Sequence, residues 1–197
     1  MNDIYRSILH ELGNKVSFLK SYLEAFPEKF NRDIVDAVSS IDVLTHYLLD
    51  LHSLEDRSRL EKFVERINIK DLIEDVYQEL KVFSFINNVK VEIKGCEGIE
   101  LKINKFLLRR VLFNLIHNAI KFSPKDSKVS ITCSSDKGGR LELRMLNAVD
   151  RKKLIESKGT EIGLEITKNL IKLLGGYIKV ELGKDPAEVV LTLIPHT

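Results

Sequence analysis

Two adjacent side chains near the amino terminus carry the clearest chemistry in this sequence. His10 is followed at once by Glu11, and Asn14 comes one helical turn later. A neutral imidazole is a good nucleophile, and a neighbouring carboxylate accepts or orients its ring proton while a phosphoryl group is attacked. Asn14 is placed to position a water or to donate to a phosphoryl oxygen. This chemistry needs an imidazole that faces water. Apolar residues at Ile4, Ile8, Leu12, Val16, Leu19, Leu23 and Phe26 step by three and four, which marks an amphipathic helix. At about 100° per residue, Leu12, Leu19 and Phe26 gather on its dry side and His10 points nearly opposite. His46 should also face outward between Leu44 and Leu48, but it has no adjacent acid. His117 reads as a packing residue, and His52 and His196 belong to no motif.

The elements that hold these groups follow from periodicity. Pro27 disfavours helical geometry in the residue before it, so the first helix should stop near Phe26. A second helix is predicted from Ile34, Ala37, Ile41, Leu44, Leu48 and Leu51, a heptad-like seam widened by Val38. A hairpin of two such helices buries only part of its apolar stripes. The economical arrangement is a homodimer whose two hairpins make a four-helix bundle. The charged stretch Glu55-Asp56-Arg57-Ser58-Arg59 reads as the end of that helix and a hinge, which divides the chain into residues 1–58 and 59–197.

Beyond the hinge the pattern becomes mixed. Helices are predicted at Ile69 to Leu80, Lys105 to Phe122, Asp150 to Glu156 and Ile162 to Leu174. Strands are predicted at Val89 to Ile93, Glu100 to Ile103, Val129 to Cys133, Leu141 to Leu146, Tyr177 to Leu182 and Val189 to Ile194. Asp136-Lys137-Gly138-Gly139 marks a turn, and Gly175-Gly176 ends the last helix where a positive φ is expected. Hairpin-like strand pairs with interspersed helices give an α+β protein: a helical hairpin, then an α/β sandwich with helices on one face of a mixed sheet.

Composition excludes several classes. A formal charge of +2, with 30% charged and 44% hydrophobic residues, gives no reason to propose nucleic acid or an anionic membrane as partner. No apolar run approaches the roughly twenty residues that span a bilayer. Cys96 and Cys133, the only cysteines, lack the spacing of a metal knuckle or a redox pair. Reduced, buried thiols and a cytoplasmic location are the corresponding expectations.

Leu107-Leu108-Arg109-Arg110-Val111-Leu112-Phe113-Asn114-Leu115-Ile116-His117-Asn118-Ala119-Ile120-Lys121-Phe122-Ser123-Pro124 resembles the N box of bacterial sensor histidine kinases. Gly159-Thr160-Glu161-Ile162-Gly163-Leu164, followed by Lys168 and Gly175-Gly176-Tyr177-Ile178-Lys179-Val180, looks like the glycine-rich box, helix and strand of the same family. His10-Glu11-Leu12-Gly13-Asn14 stands in the place of its phosphoacceptor box. The resemblance covers nearly the whole chain. It implies a dimerisation and histidine-phosphotransfer hairpin, followed by a Bergerat-type ATP-binding domain. Carried over residue by residue, it makes Asn118 the magnesium-holding asparagine and Lys121 a neighbour of the phosphates. Asn114, Gly159 and Gly163 complete the nucleotide site.

Two departures make that site read as vestigial. The family's Asp-x-Gly-x-Gly box, whose aspartate accepts from the adenine amino group, should follow the strand ending near Leu146. Instead the chain runs Asn147-Ala148-Val149-Asp150-Arg151 without glycine. Only Ala148 to Lys158 stand where a nucleotide lid would be, and Glu161 replaces a glycine beside the phosphates, where its charge repels a triphosphate. The reading that follows is an ATP-independent histidine phosphotransferase of a phosphorelay. His10, Glu11 and Asn14 would exchange phosphoryl groups with the aspartates of response-regulator receivers. Mg²⁺ would be supplied by the receiver, and the chain itself would hold no metal. The alternatives are an active sensor histidine kinase with a shortened lid, and a non-catalytic module that binds a receiver or a kinase. The family usually has Arg where Gly13 stands and Pro where Lys15 stands, so the phosphoacceptor helix departs from autokinase pattern as well.

Overall fold

A computed structural model describes residues 64–156, 160–182 and 186–194. Nearer the amino terminus it describes residues 12–14, 16–19, 21–23, 25, 26, 34, 38, 41 and 45. The chain divides into two compact units, Met1–Lys62 and Phe63–Thr197. His10, Glu11 and the stretch 55–59 lie outside the described residues.

In the first unit the described residues are helical except Phe26. The buried line on the first helix is Val16 and Leu23, at 4% and 5% exposure. Leu12 and Leu19, expected on the dry side, are 42% and 50% exposed, and Phe26 is also exposed. The second segment repeats this division. Thr45 is buried and its hydroxyl donates to the carbonyl of Ile41, whereas Ile34 and Ile41 are exposed. Both residue pairs, Val16/Leu23 and Leu12/Leu19, have heptad spacing, so the first helix carries a buried line and a separate exposed apolar line.

The second unit opens with a strand, β1 (Val64–Asn68), that the sequence pattern does not announce. Asn68 caps α1 (Ile69–Asn87) by accepting from the N–H of Asp71. This helix runs seven residues past the expected end because Phe83, Ser84 and Asn87 are buried, and it stops where Asn88 turns left-handed at φ 51°. β2 (Val89–Lys94) and β3 (Glu100–Asn104) follow. Asn104 then caps α2 (Lys105–Phe122), accepting from the N–H of Leu107 at 3.0 Å. α2 is buried almost all round, packed between α1 and α4 (Thr160–Leu173). The chain also contains β4 (Ser127–Ser135), β5 (Leu141–Asn147), α3 (Arg151–Glu156), β6 (Tyr177–Glu181) and β7 (Ala187–Leu193).

Five strands form one mixed sheet in the order β2-β4-β5-β7-β6, with β2 parallel to β4 and the other pairs antiparallel. β2 and β3 do not pair as a hairpin. β3 instead joins β1 in a separate antiparallel pair that aligns Val64 with Asn104 and Asn68 with Glu100. Along β4 and β5, Val129, Ile131, Cys133, Leu141, Leu143, Met145 and Asn147 are buried, alternating with residues that are at least partly exposed. The open face is laced by ion pairs, with Arg144 reaching Glu142 at 2.9 Å and Glu188 at 2.8 Å.

The cysteines depart from expectation. They are buried, but a disulfide joins them, with Cα atoms 4.7 Å apart across 37 residues of sequence. Parallel pairing puts Lys94 opposite Thr132, so the chain leaving β2 brings Cys96 beside Cys133. Sequence spacing alone does not reveal this neighbourhood.

The Gly175-Gly176 pair performs two different tasks. Gly175 ends α4 at φ +71°, while a Cβ on Gly176 would lie 2.5 Å from the backbone oxygen of Thr192 and 2.8 Å from a methyl of Leu193. Gly176→Ala should therefore destabilise the chain by about 1–3 kcal/mol, the usual cost of overpacking, read as a lower midpoint in urea unfolding.

Candidate functional site

One turn-by-turn face of α2 leaves the core and lines a cavity. Leu115, Asn118, Ala119 and Phe122 stand at i, i+3, i+4 and i+7 on it. Asn147 and Val149 come from the end of β5, Leu154 from α3, Leu164 from α4, and Val180, Leu182 and Val189 from the far side of the sheet and its last turn. The cavity measures about 70 Å³, several times the room one water requires. Its lining is hydrocarbon apart from two carboxamides, Asn118 and Asn147.

Those carboxamides are held in different ways. Asn147 is buried, and its Nδ2 donates to the carbonyls of Ala148 at 2.9 Å and Ala119 at 3.4 Å and to Ser123 Oγ at 3.2 Å. Ser123 Oγ in turn donates to the carbonyl of Ala119 at 2.7 Å. With three acceptors around the nitrogen, the amide cannot turn over, and its Oδ1 accepts no hydrogen bond among the described residues. Asn118 is half-buried and makes no hydrogen bond among the described residues. Two amide oxygens on an apolar wall suit a flat ring bearing an amino group and a hard cation, which prefers oxygen donors.

The remaining expected residues scatter. Asn114 is buried and bonds Thr167 Oγ1 of α4 at 3.4 Å, which joins two helices rather than facing the cavity. Lys121 is partly exposed, with Nζ 5.6 Å from the Phe122 ring centroid, and does not line the cavity. Gly163 lies within α4, and Gly159 falls outside the described residues, as do His10 and Glu11. Asn14 is an exposed helical residue of the first unit. Asp150, the carboxylate nearest the expected adenine box, caps α3 by accepting from the N–H groups of Lys152 and Lys153. Asn147, at the strand terminus where that box would begin, is the residue the sequence reading passed over. The available signal was the inward row Leu141, Leu143, Met145, which ends in an amide.

The match to known proteins agrees with this geometry. Residues 103–196 match the family described as histidine kinase-, DNA gyrase B-, and HSP90-like ATPase. Over those residues, just under half of the chain, the sequence is similar to that ATPase family. The heme sensor protein HssS of Staphylococcus haemolyticus is 24% identical over 213 residues, covering 98% of this chain and 46% of that protein. Sporulation kinase A of Bacillus subtilis is 24% identical over 192 residues, covering 88% of this chain and 31% of the kinase. The autoinducer 2 sensor kinase/phosphatase LuxQ of Vibrio vulnificus is 27% identical, covering 91% and 24% respectively. The chain thus spans less than half the length of these relatives.

Among solved structures, Acinetobacter baumannii histidine kinase AdeS superposes with a TM-score of 0.62 at 19% identity, covering 95% of this chain and 98% of that one. The catalytic domain of histidine kinase ThkA gives 0.56 at 20% identity, covering 68% and 99%. At such identities the likeness is one of fold. Among the described residues no helix is long and apolar enough to cross a membrane.

The family these residues resemble would imply an adenine nucleotide with magnesium, and the amide oxygens of Asn118 and Asn147, which accept no hydrogen bond among the described residues, fit that pair. Among the described residues no three His, Cys, Asp or Glu side chains gather to hold a metal. A divalent ion at Asn118 would therefore take its other ligands from nucleotide oxygens and water. The fixed amide also makes a stability prediction. In Asn147→Asp an ionised oxygen would face the carbonyls of Ala119 and Ala148, costing about 1–3 kcal/mol at neutral pH. The folded state then raises that carboxyl above its unfolded value near 3.9. The variant should match wild type below the unfolded pKa and lose stability as pH rises through the folded one, measured by unfolding at pH 3.5 and pH 7.

Proposed function

We propose that the chain is the phosphotransfer core of a sensor-histidine-kinase-type transferase. Residues 1–58 form its dimerisation and phosphoacceptor hairpin, and residues 59–197 its nucleotide domain. The observation that carries this reading is a pair of carboxamides, Asn118 and Asn147, lining an otherwise apolar cavity, their oxygens accepting no hydrogen bond among the described residues, in a stretch similar to an ATPase family. It displaces the expectation that ATP is dispensed with. A neutral strand-end acceptor stands where the missing aspartate would be, and similarity to an ATPase family supports a nucleotide with magnesium.

In this reading Asn118 holds magnesium, and Asn147 Oδ1 accepts from an exocyclic amino group. ATP, when bound, supplies the phosphoryl group. His10 is the nucleophile, Glu11 orients its ring and takes up charge as the N–P bond forms, and Asn14 positions the attacking water when the phosphoryl group is hydrolysed. The acceptors are the aspartates of response-regulator receiver domains. Homodimerisation is favoured by the exposed apolar residues Leu12 and Leu19 on the first helix and Ile41 on the second. A second hairpin would bury them.

A specific observation keeps the ATP-independent phosphotransferase as the second reading. The chain leaves β5 through Ala148 to Asp150 straight into α3, without the glycines that let backbone approach a base. Radiolabelling separates the readings. Mg-ATP labelling of His10 that is lost in His10→Ala, with nucleotide affinity reduced at least about tenfold in Asn118→Ala, supports the kinase. Label reaching His10 only from a phosphorylated receiver supports the carrier without ATP. Receiver binding that survives His10→Ala, with no label from either source, leaves a binding module.

The dimer has its own test. The double substitution Leu12→Glu, Leu19→Glu should convert a sedimenting dimer to monomer while the C-terminal unit keeps its unfolding midpoint.

A further inference from the structure

The Cys96–Cys133 bond belongs neither to the cavity nor to the residues assigned to phosphotransfer. Cys133 sits on β4, inside the sheet, whereas Cys96 follows β2, the edge strand. The turn that carries Cys96 holds two glycines in left-handed conformation, Gly95 at φ +67° and Gly98 at φ +70°. Its other ties are few. The carbonyl of Ile99 accepts from the N–H of Ile69, the first residue of α1, at 3.0 Å, and Glu97 meets Lys70 at 3.2 Å on the surface. An exposed ion pair of that kind contributes little.

The chain next becomes β3, whose only strand partner among the described residues is β1, the first described element after the boundary between the two units. A two-stranded pair is marginal unless something else holds it. Cys96 stands four residues before that pair and three before the carbonyl that receives the first N–H of α1. The covalent tie is therefore the strongest fastening of this corner to the five-stranded sheet.

We infer that the Cys96–Cys133 bond is a redox latch on the β1–β3 corner. Formed, it pins residues 95–99 to β4. Opened, it loosens β1, β3 and the first turn of α1 while β4, β5, β7 and β6 stay paired. The opening reaction is thiol–disulfide exchange with a small dithiol. One thiolate attacks the sulfur of Cys133, the less buried residue at 8% exposure against 0% for Cys96, and Cys96 leaves as thiolate. The second thiol of the reductant then displaces Cys133, so that two electrons and two protons pass to the protein and the reductant becomes a disulfide.

The test uses the full chain. Protein equilibrated with glutathione disulfide and alkylated under denaturing conditions should show no free thiol, and two after dithiothreitol. By hydrogen exchange, amides in 64–72 and 95–104 should exchange roughly tenfold faster after reduction, while those in 141–147 and 187–193 should keep their rates. Reoxidation should restore the first pattern, and Cys96→Ser or Cys133→Ser should show the second without reductant. Should the variants fail to fold, the reduction of wild type still decides. Two free thiols in the oxidised sample, identical exchange in both states, or equal acceleration through the whole sheet would overturn the latch. None of these readouts depends on nucleotide or phosphoryl chemistry.

Discussion

The burial of α2 on nearly every side is the constraint from which the second unit follows. A helix that presents Leu108, Val111, Leu112, Ile116 and Ile120 to its neighbours must be covered by α1 and α4 and by the sheet beneath them. One strip of the helix, at Leu115, Asn118, Ala119 and Phe122, forms the wall of the cavity. The position of Asn118 is thus fixed by the packing of residues that never touch a ligand. Rotation of α2 by one residue, about 100°, would push the amide into a neighbouring helix and expose a leucine.

The carboxyl end of α2 shows how the polar groups are kept in place. Ser123 is fully buried, and its hydroxyl joins the last turn of α2 to Asn147 at the end of β5. The N–H of Asp150 donates to the carbonyl of Phe122 at 2.7 Å, and Lys153 donates from its ammonium to the carbonyl of Ser123. Three elements, α2, β5 and α3, thereby meet through hydrogen bonds that satisfy the helix's orphan carbonyls. The one oxygen this network leaves unbonded among the described residues, Asn147 Oδ1, belongs to a residue lining the cavity.

Much of this was legible in the sequence. The N-box stretch, the glycine pair after α4 and the alternation of β4 and β5 each carry a local pattern that survives folding. What was not legible depended on distant partners. Val64-Glu65-Arg66-Ile67-Asn68 has a single buried residue, so nothing in its periodicity marks a strand until β3 is beside it. The five residues between β2 and β3 suggested a hairpin, but β2 aligns with β4 instead, and the cysteine pair came with that same long-range register. Leu12 and Leu19 obeyed their period, yet periodicity does not distinguish a face covered within one chain from a face that a second chain would cover.

The wet side of the five-stranded sheet has an evolutionary consequence. On β4 and β5 alternate positions meet water and charge partners such as Glu142 and Glu188 around Arg144, so a substitution there is constrained mainly by the sign of its charge. The inward positions, by contrast, are locked by volume. A two-layer architecture therefore lets about half of each strand diverge without disturbing the other half.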